Sequence, residues 1–140
     1  MKTVRIARPD ELVLCHRIRR SVFIEGQGVP EAIEVDGRDE ACTHFLVLVD
    51  DRPVATARLR EVEGAAKAER VAVLAACRGR GYGHDVMGAL ESNARERGFA
   101  AVVLGAQEPV IPFYERRGYV AYGPRFVEAD IPHRMMRLAL

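Results

Sequence analysis

Apolar positions recur along this chain with two periods, and the switches between them mark its elements. Residues 3–8 alternate and predict a short strand. Pro9 suits a first helical turn, and Asp10 and Glu11 are favourable at the positive end of a helix dipole. Leu12, Cys15, Ile18, Val22 and Phe23 then recur at helical spacing, which predicts a helix running to about Gly26. Residues 25–43 are polar and punctuated by glycine and proline, as in a loop. Residues 44–50 and 53–61 predict a hairpin with its tight turn at Asp51 and Arg52. Glu63 and Gly64 turn the chain toward a β-branched core strand over 69–74. From His84, the spacing of Val86, Met87, Leu90 and Ala94 is helical again up to residue 97. A strand at 101–104, a short helix closed by Gly118, and strands at 119–122 and 135–140 complete the pattern.

This order predicts an α/β (α+β) fold, a mostly antiparallel mixed sheet with helices on both faces. Only the central β-loop-α-β piece needs a parallel crossover, which puts a glycine-rich turn at the carboxyl end of the 69–74 strand. No repeat, low-complexity stretch or linker interrupts the chain. Its 140 residues read as a single domain, 1–140, long enough to bury a core.

Lys plus Arg is 21 and Asp plus Glu 20, so a net charge of +1 gives no reason to expect a nucleic-acid partner. The apolar run 71–77 is far too short for a membrane span, and the first residues lack a signal-peptide apolar region. A cytoplasmic location without a membrane partner is the expectation. Cys15, Cys42 and Cys77 are odd in number with no Cys-x-x-Cys, and the four histidines are scattered. Neither a disulfide framework nor a metal site is expected.

The candidate chemistry concentrates at residues 69–97. Between strand and helix, Gly79, Gly81 and Gly83 alternate with Arg80 and Tyr82, so the backbone can bend sharply and approach a ligand. Free amides and the dipole at a helix N-terminus make an anion site, and Arg78 and Arg80 add fixed charge. A phosphate or pyrophosphate is the expected ligand. A nucleotide-triphosphatase loop needs Gly-Lys-Ser/Thr where this chain has Gly83-His84-Asp85, and a dinucleotide fingerprint needs a glycine at position 84.

Arg78-x-x-Gly81-x-Gly83 resembles the acetyl-CoA pyrophosphate loop of the GNAT N-acetyltransferase superfamily. Further on, Phe113-Tyr114-Glu115-Arg116-Arg117-Gly118-Tyr119 resembles the superfamily's second motif, a short helix ending in Phe-Tyr-Glu-x-x-Gly-Phe/Tyr. The likeness extends to the small bacterial ElaA/YjcF-like branch through Arg19-x-x-Val22-Phe23, Gly28-Val29-Pro30, Glu69-Arg70-Val71-Ala72-Val73, Ala106-Gln107 and Ala129-x-Ile131-Pro132-His133. It covers nearly the whole chain and implies the GNAT acyl-CoA N-acyltransferase fold with acetyl-CoA as cosubstrate.

The resemblance also implies roles. The amides of Gly79, Arg80, Gly81, Tyr82, Gly83 and His84 would hold the pyrophosphate. Val71, Ala72, Val73 and Gln107 would lie beside the pantetheine arm, with a strand amide steadying the tetrahedral oxyanion. Tyr114 would serve the departing thiolate as general acid. Glu69, placed by the two-residue strand period on one face with Val71 and Val73, is a candidate base if burial raises its pKa. A salt bridge to an arginine, acceptor binding, or proton loss through water are the other readings. Arg19, Phe23, Glu25 and His133 are the acceptor-site candidates, and His133 is also a candidate base. Residues 25–43 carry Glu25, Glu31, Glu34, Asp36, Asp39 and Glu40 against Arg38 alone. They read either as a solvated acidic loop or as a rim whose field draws in a cationic amine.

The function expected is acetyl transfer from acetyl-CoA to a primary amine of a small molecule, by direct attack in a ternary complex. The alternatives are a non-catalytic acyl-CoA-binding regulatory module and a protein or peptide N-acetyltransferase. A homodimer is left open.

Overall fold

In the computed structural model, which describes residues 1–140, the alternating segments become seven strands. They are β1 (Lys2–Ile6), β2 (Thr43–Val49), β3 (Arg52–Val62), β4 (Ala65–Val73), β5 (Ala101–Gln107), β6 (Val120–Glu128) and β7 (Ile131–Ala139). They form one sheet in the order β1-β2-β3-β4-β5-β7-β6. Every neighbouring pair is antiparallel except β4 and β5, as the single crossover requires.

The helices are α1 (Leu12–Arg19), α2 (Glu31–Glu34), α3 (Tyr82–Glu96) and α4 (Ile111–Arg116). Strand alternation sorts the side chains between two cores. Phe45 and Val47 of β2 and Ala55, Ala57 and Leu59 of β3 pack with Val86, Met87, Leu90 and Ala94 of α3 and Tyr114 of α4. On the opposite face Leu46, Leu48 and Ala72 meet Cys15 and Ile18 of α1 and Val22 just beyond it. No helix is long and apolar enough to cross a membrane.

Several elements differ from their sequence expectation: β4 and β5 are longer than residues 69–74 and 101–104, and α2 lies within the expected loop. The first helix opens with a 3-10 turn at Pro9–Glu11, ends as an α-helix at Arg19, and continues through Arg20–Glu25 as a π-helical stretch. The wider winding keeps Val22 buried and brings Phe23 to the cleft described below. The hairpin turn falls at Asp50 and Asp51, whose φ angles of 50° and 66° fit the twist of the strands it joins. Ala129 and Asp130, at φ 51° and 62°, make the same kind of turn between β6 and β7, so those strands are much longer than residues 119–122 and 135–140.

Candidate active site

The parallel pair β4 and β5 is joined only at Ala66 with Val102 and Lys67 with Val103. Beyond those residues the strands part, and Ala68–Val73 and Leu104–Gln107 become the two walls of a cleft of about 1010 Å³. A cleft that splits a sheet exposes backbone donors and acceptors that a neighbouring strand would otherwise satisfy.

One wall is kinked. Thr56 pairs with Ala72 and Arg58 with Glu69, so Ala57 of β3 spans both Arg70 and Val71 of β4. Arg70 takes up the extra residue at φ 54°. A one-residue bulge reverses the alternation after it. Ala66 and Ala68 face α3, and so do Val71 and Val73, whereas Ala72 joins the core beneath α1. Glu69 therefore does not share a face with Val71 and Val73. It points to the α1 side, where Arg58 Nη2 donates to it at 2.8 Å and Arg60 donates at 2.9 and 3.0 Å. Burial pushes its carboxyl up, but the hydrogen bonds from Arg60 and Arg58 outweigh burial and hold it at about 2. The expected upward shift is thus reversed, and of the readings weighed from the sequence the arginine salt bridge is the one the geometry matches.

After β4 the chain enters α3 through the glycine turn. Gly79 and Gly81 adopt φ 79° and 87°, and no heavy atom lies within 4 Å of where a Cβ would be, so their need for glycine is conformational. Gly83 differs, because a Cβ there would lie 3.2 Å from the Phe113 ring. Arg78 Nε donates to the Val73 carbonyl at 3.2 Å and fixes the turn against the end of β4. Cys77, Arg78, Gly79, Gly81, Tyr82, Gly83 and His84 all line the cleft. Arg80 does not; its side chain is exposed and borders a separate hollow with Val49, Asp50 and Arg52. The expectation that Arg80 adds charge to the anion site is corrected accordingly, leaving its backbone amide as the group the turn offers.

Below the turn, Tyr114 is 7% exposed and lines the cleft. Its ring stands edge-on to Phe113 and Tyr119, with centroids 5.0 and 5.6 Å away. Tyr119 donates its hydroxyl to Glu91 at 2.8 Å, and Arg117 is bonded to the same carboxylate. The Tyr114 hydroxyl has no such partner within the chain, and burial raises its pKa.

On the α1 side, Phe23 and His133 line the cleft as expected. His133 Nδ1 lies 2.6 Å from the Ile131 carbonyl, which assigns the proton to Nδ1 and leaves Nε2 an acceptor. Arg19 and Glu25 are corrections. Arg19 is fully buried away from the cleft, its guanidinium bonded to the Glu34 carboxylate at 3.0 and 3.2 Å and to Asp39 at 2.8 Å. Glu25 is exposed and lies outside the cleft lining. In the acidic segment Glu25, Glu31 and Glu40 are exposed, whereas the inner carboxylates of Glu34, Asp36 and Asp39 are spent on arginines. Asp36 accepts two bonds from the fully buried Arg58 at 3.0 and 2.8 Å, and Asp39 accepts another at 2.9 Å. Glu34 also pairs with Arg70 at 2.7 Å. Gln107 does reach the cleft, where its amide exchanges two hydrogen bonds with Gln27 across the opening, at 3.0 and 3.2 Å.

The family model for the acetyltransferase (GNAT) domain matches residues 12–140. This chain belongs to the GNAT acetyltransferase family. It is 35% identical to the N-acetyltransferase YjcF of Bacillus subtilis over 137 residues, covering 97% of this chain and 98% of the relative. Among solved structures it superposes on a putative N-acetyltransferase from Lactobacillus plantarum with a TM-score of 0.92 at 26% identity, covering 99% of this chain and 98% of the other. It superposes on Escherichia coli ElaA with a TM-score of 0.85 at 27% identity, covering 98% and 99%. The protein is an acetyltransferase of this small bacterial branch, and the fold carries acyl-CoA as its cosubstrate.

This acetyltransferase also brings to its cleft Arg60, Lys67 and Arg70, which the sequence did not point to, beside Glu34 and Asp36 of the acidic segment. A signal for some of them was present. Arg58 and Arg60 lie two apart in a predicted strand, and charges at that spacing share one face of a sheet. Opposite charges facing each other across strands are the pairing that results.

Proposed function

We propose that this acetyltransferase, acting as a single domain over residues 1–140, transfers the acetyl group of acetyl-CoA to a primary amine of a small molecule. The observation that carries the proposal is the buried Tyr114, its hydroxyl free of protein partners, on the wall of a cleft opened by the parting of β4 from β5. A module that only bound the cofactor would have no use for an unpaired phenol at that position.

In this reading the amides of residues 79–84 and Arg78 hold the pyrophosphate at the N-terminus of α3. Val71, Ala72, Val73 and Gln107 flank the pantetheine arm, and an amide of β4 on the side parted from β5 donates to the thioester carbonyl oxygen. The amine attacks the carbonyl directly, the C–S bond breaks, and Tyr114 supplies the hydrogen bond or proton that the departing thiolate needs. An alkylammonium must lose its proton first, and Glu69 at about 2 is too weak a base to take it. His133 Nε2, or water, takes that role. The Gln27–Gln107 amide pair bridges the opening and favours a compact acceptor over a threaded peptide.

Thiol release from acetyl-CoA against amines, amino sugars, polyamines and short peptides tests the proposal, with wild type beside Tyr114→Phe. The expected result is turnover with one small-amine class that falls about 10²-fold or more in Tyr114→Phe while CoA still binds. Turnover only with peptides, or equal turnover in both proteins, would refute it. A radiolabelled acetyl group left on Cys77 would replace direct attack with a two-step route.

A further inference from the structure

We infer that the acceptor of this acetyltransferase carries an anionic group, a carboxylate or a phosphate, in addition to its amine, and that Lys67 and Arg60 receive it on the α1 side of the cleft. The inference rests on the proposed reading of the cleft as an acyl-transfer site and specifies its substrate.

The charges on that side do not cancel. Arg19, Arg58, Arg60, Lys67 and Arg70 form one connected cluster with Glu34, Asp36, Asp39 and Glu69. With Arg38, whose Nε lies 3.9 Å from Asp36 on the exposed side of the cluster, the cations outnumber the four carboxylates. The surplus can be located from the hydrogen bonds. Each of the four carboxylates accepts at least two guanidinium contacts, and Glu69 accepts three. Of the cluster's cations that line the cleft, Lys67 is the one that donates no hydrogen bond. Its Nζ is 3.5 Å from Glu69 Oε2, an oxygen already taken by Arg60 Nη2. Arg60 Nη1 is likewise unused by the protein, since its bonds to Glu69 come from Nε and Nη2. Both side chains line the cleft and are about one quarter exposed, so their charge is only partly screened.

The position fits a ligand rather than solvent. Lys67 stands where β4 and β5 part, at the floor of the cleft, and Val71 lies four residues further along the same wall. At ~3.3 Å per residue, less the slack taken by the bulge, the anion and the attacking amine of the acceptor sit on the order of 10 Å or less apart. Phe23, Ile33, Phe126 and Ile131 provide apolar walls between the two ends. The one cleft carboxylate with no cationic partner, Glu128, is on the exposed β6–β7 hairpin, where its charge complements the ammonium end of the same molecule.

Matched acceptors distinguish this inference from the reading beneath it. Straight-chain amines of graded length are prepared with a terminal carboxylate, the corresponding carboxamide, or a phosphate monoester. Their binding to the CoA-loaded protein is measured by calorimetry, and their acetylation by thiol release, in wild type and Lys67→Met. A charge-assisted contact predicts that a carboxylate or phosphate member binds about 10-fold or more tightly than its carboxamide, and that Lys67→Met removes most of that preference. The carboxylate and phosphate arms identify which anion the site takes. Equal binding of charged and neutral members, or a preference that survives Lys67→Met, would overturn the inference even if the neutral amines are acetylated. Preferential binding of the anions without transfer to any of them supports the anion site while refuting the acyl-transfer reading.

Discussion

Glu69→Gln separates a structural carboxylate from a catalytic base. The wild-type side chain is 11% exposed and joins Arg58, Arg60 and Lys67. A carboxyl lowered from 4.5 to about 2 contributes on the order of 3 kcal/mol at neutral pH, because each pKa unit is worth ~1.4 kcal/mol. The sign follows from the direction of the shift. A depressed carboxyl stabilises the fold fully above its ordinary pKa, and the contribution is lost as pH falls through the folded value. The amide of the Glu69→Gln variant cannot titrate, so the stability gap between the two proteins should be widest from about pH 5 upward and shrink to roughly half or less by about pH 3. Urea denaturation at a series of pH values reads this gap directly. The same pair of proteins is then compared in kcat/KM against pH. If Glu69 is structural, both profiles keep the same acid limb, with the variant lower only as far as its cleft is disturbed. A Glu69→Gln protein as stable as wild type, whose acid limb near neutrality has vanished, would refute the reasoning and restore Glu69 as the base.

Three further outcomes follow from the same geometry. Gly83→Ala sets a Cβ 3.2 Å from Phe113, and because that ring contacts both His84 and Tyr114, we expect a loss of about 1–3 kcal/mol in denaturation together with weaker CoA binding by calorimetry. Arg117→Met strands Glu91, which is 5% exposed, on the Tyr119 hydroxyl alone. That should cost about 3 kcal/mol or more, and a compensating Glu91→Leu in the same chain should recover most of it in thermal denaturation. For His133, nitrogen NMR of the neutral ring should find the proton on Nδ1, as the bond to the Ile131 carbonyl demands; a proton on Nε2 would remove this residue as a base.

The sheet, the glycine turn and the aromatic helix were legible in the sequence because each rests on a local signal. Alternation placed β2 and β3, glycines at fixed offsets placed the turn, and Phe113-Tyr114 lay within a motif whose spacing is short-range. The errors arose where geometry depends on partners far along the chain. A bulge at a non-glycine residue leaves no mark in local composition, so the two-residue period was carried through Arg70 and set Glu69 on the wrong face. Ala129-Asp130 lacks the Asn-Gly signature of a tight hairpin, and β6 and β7 were therefore cut short. Arg19 was read as an acceptor contact, and the acids of residues 25–43 as a solvated loop or an open rim, because the pairing of Glu34, Asp36 and Asp39 with Arg19, Arg58 and Arg70 arises only through tertiary contact.

Those buried ion pairs and the bulge act as one device. Arg70 holds a left-handed backbone angle that costs a residue with a Cβ on the order of 1–2 kcal/mol, and such a conformation persists only where its surroundings enforce it. The enforcement comes from its own side chain, which donates to the carbonyls of Ile33 at 3.1 Å and Glu34 at 3.2 Å and pairs with the Glu34 carboxylate. Glu34 is in turn fixed by Arg19 of α1, and Asp36 and Asp39 by Arg58 of β3. Rim, bulge and sheet thus position one another through charges that stabilise the fold little more than apolar packing would. What they add is direction. Apolar side chains would allow residues 31–39 to slide over the sheet, whereas bidentate arginines admit a single register. The β4 wall, on which the proposed oxyanion amide and Lys67 both lie, is held in that register, and the acid-rich segment contributes to the cleft through this geometry.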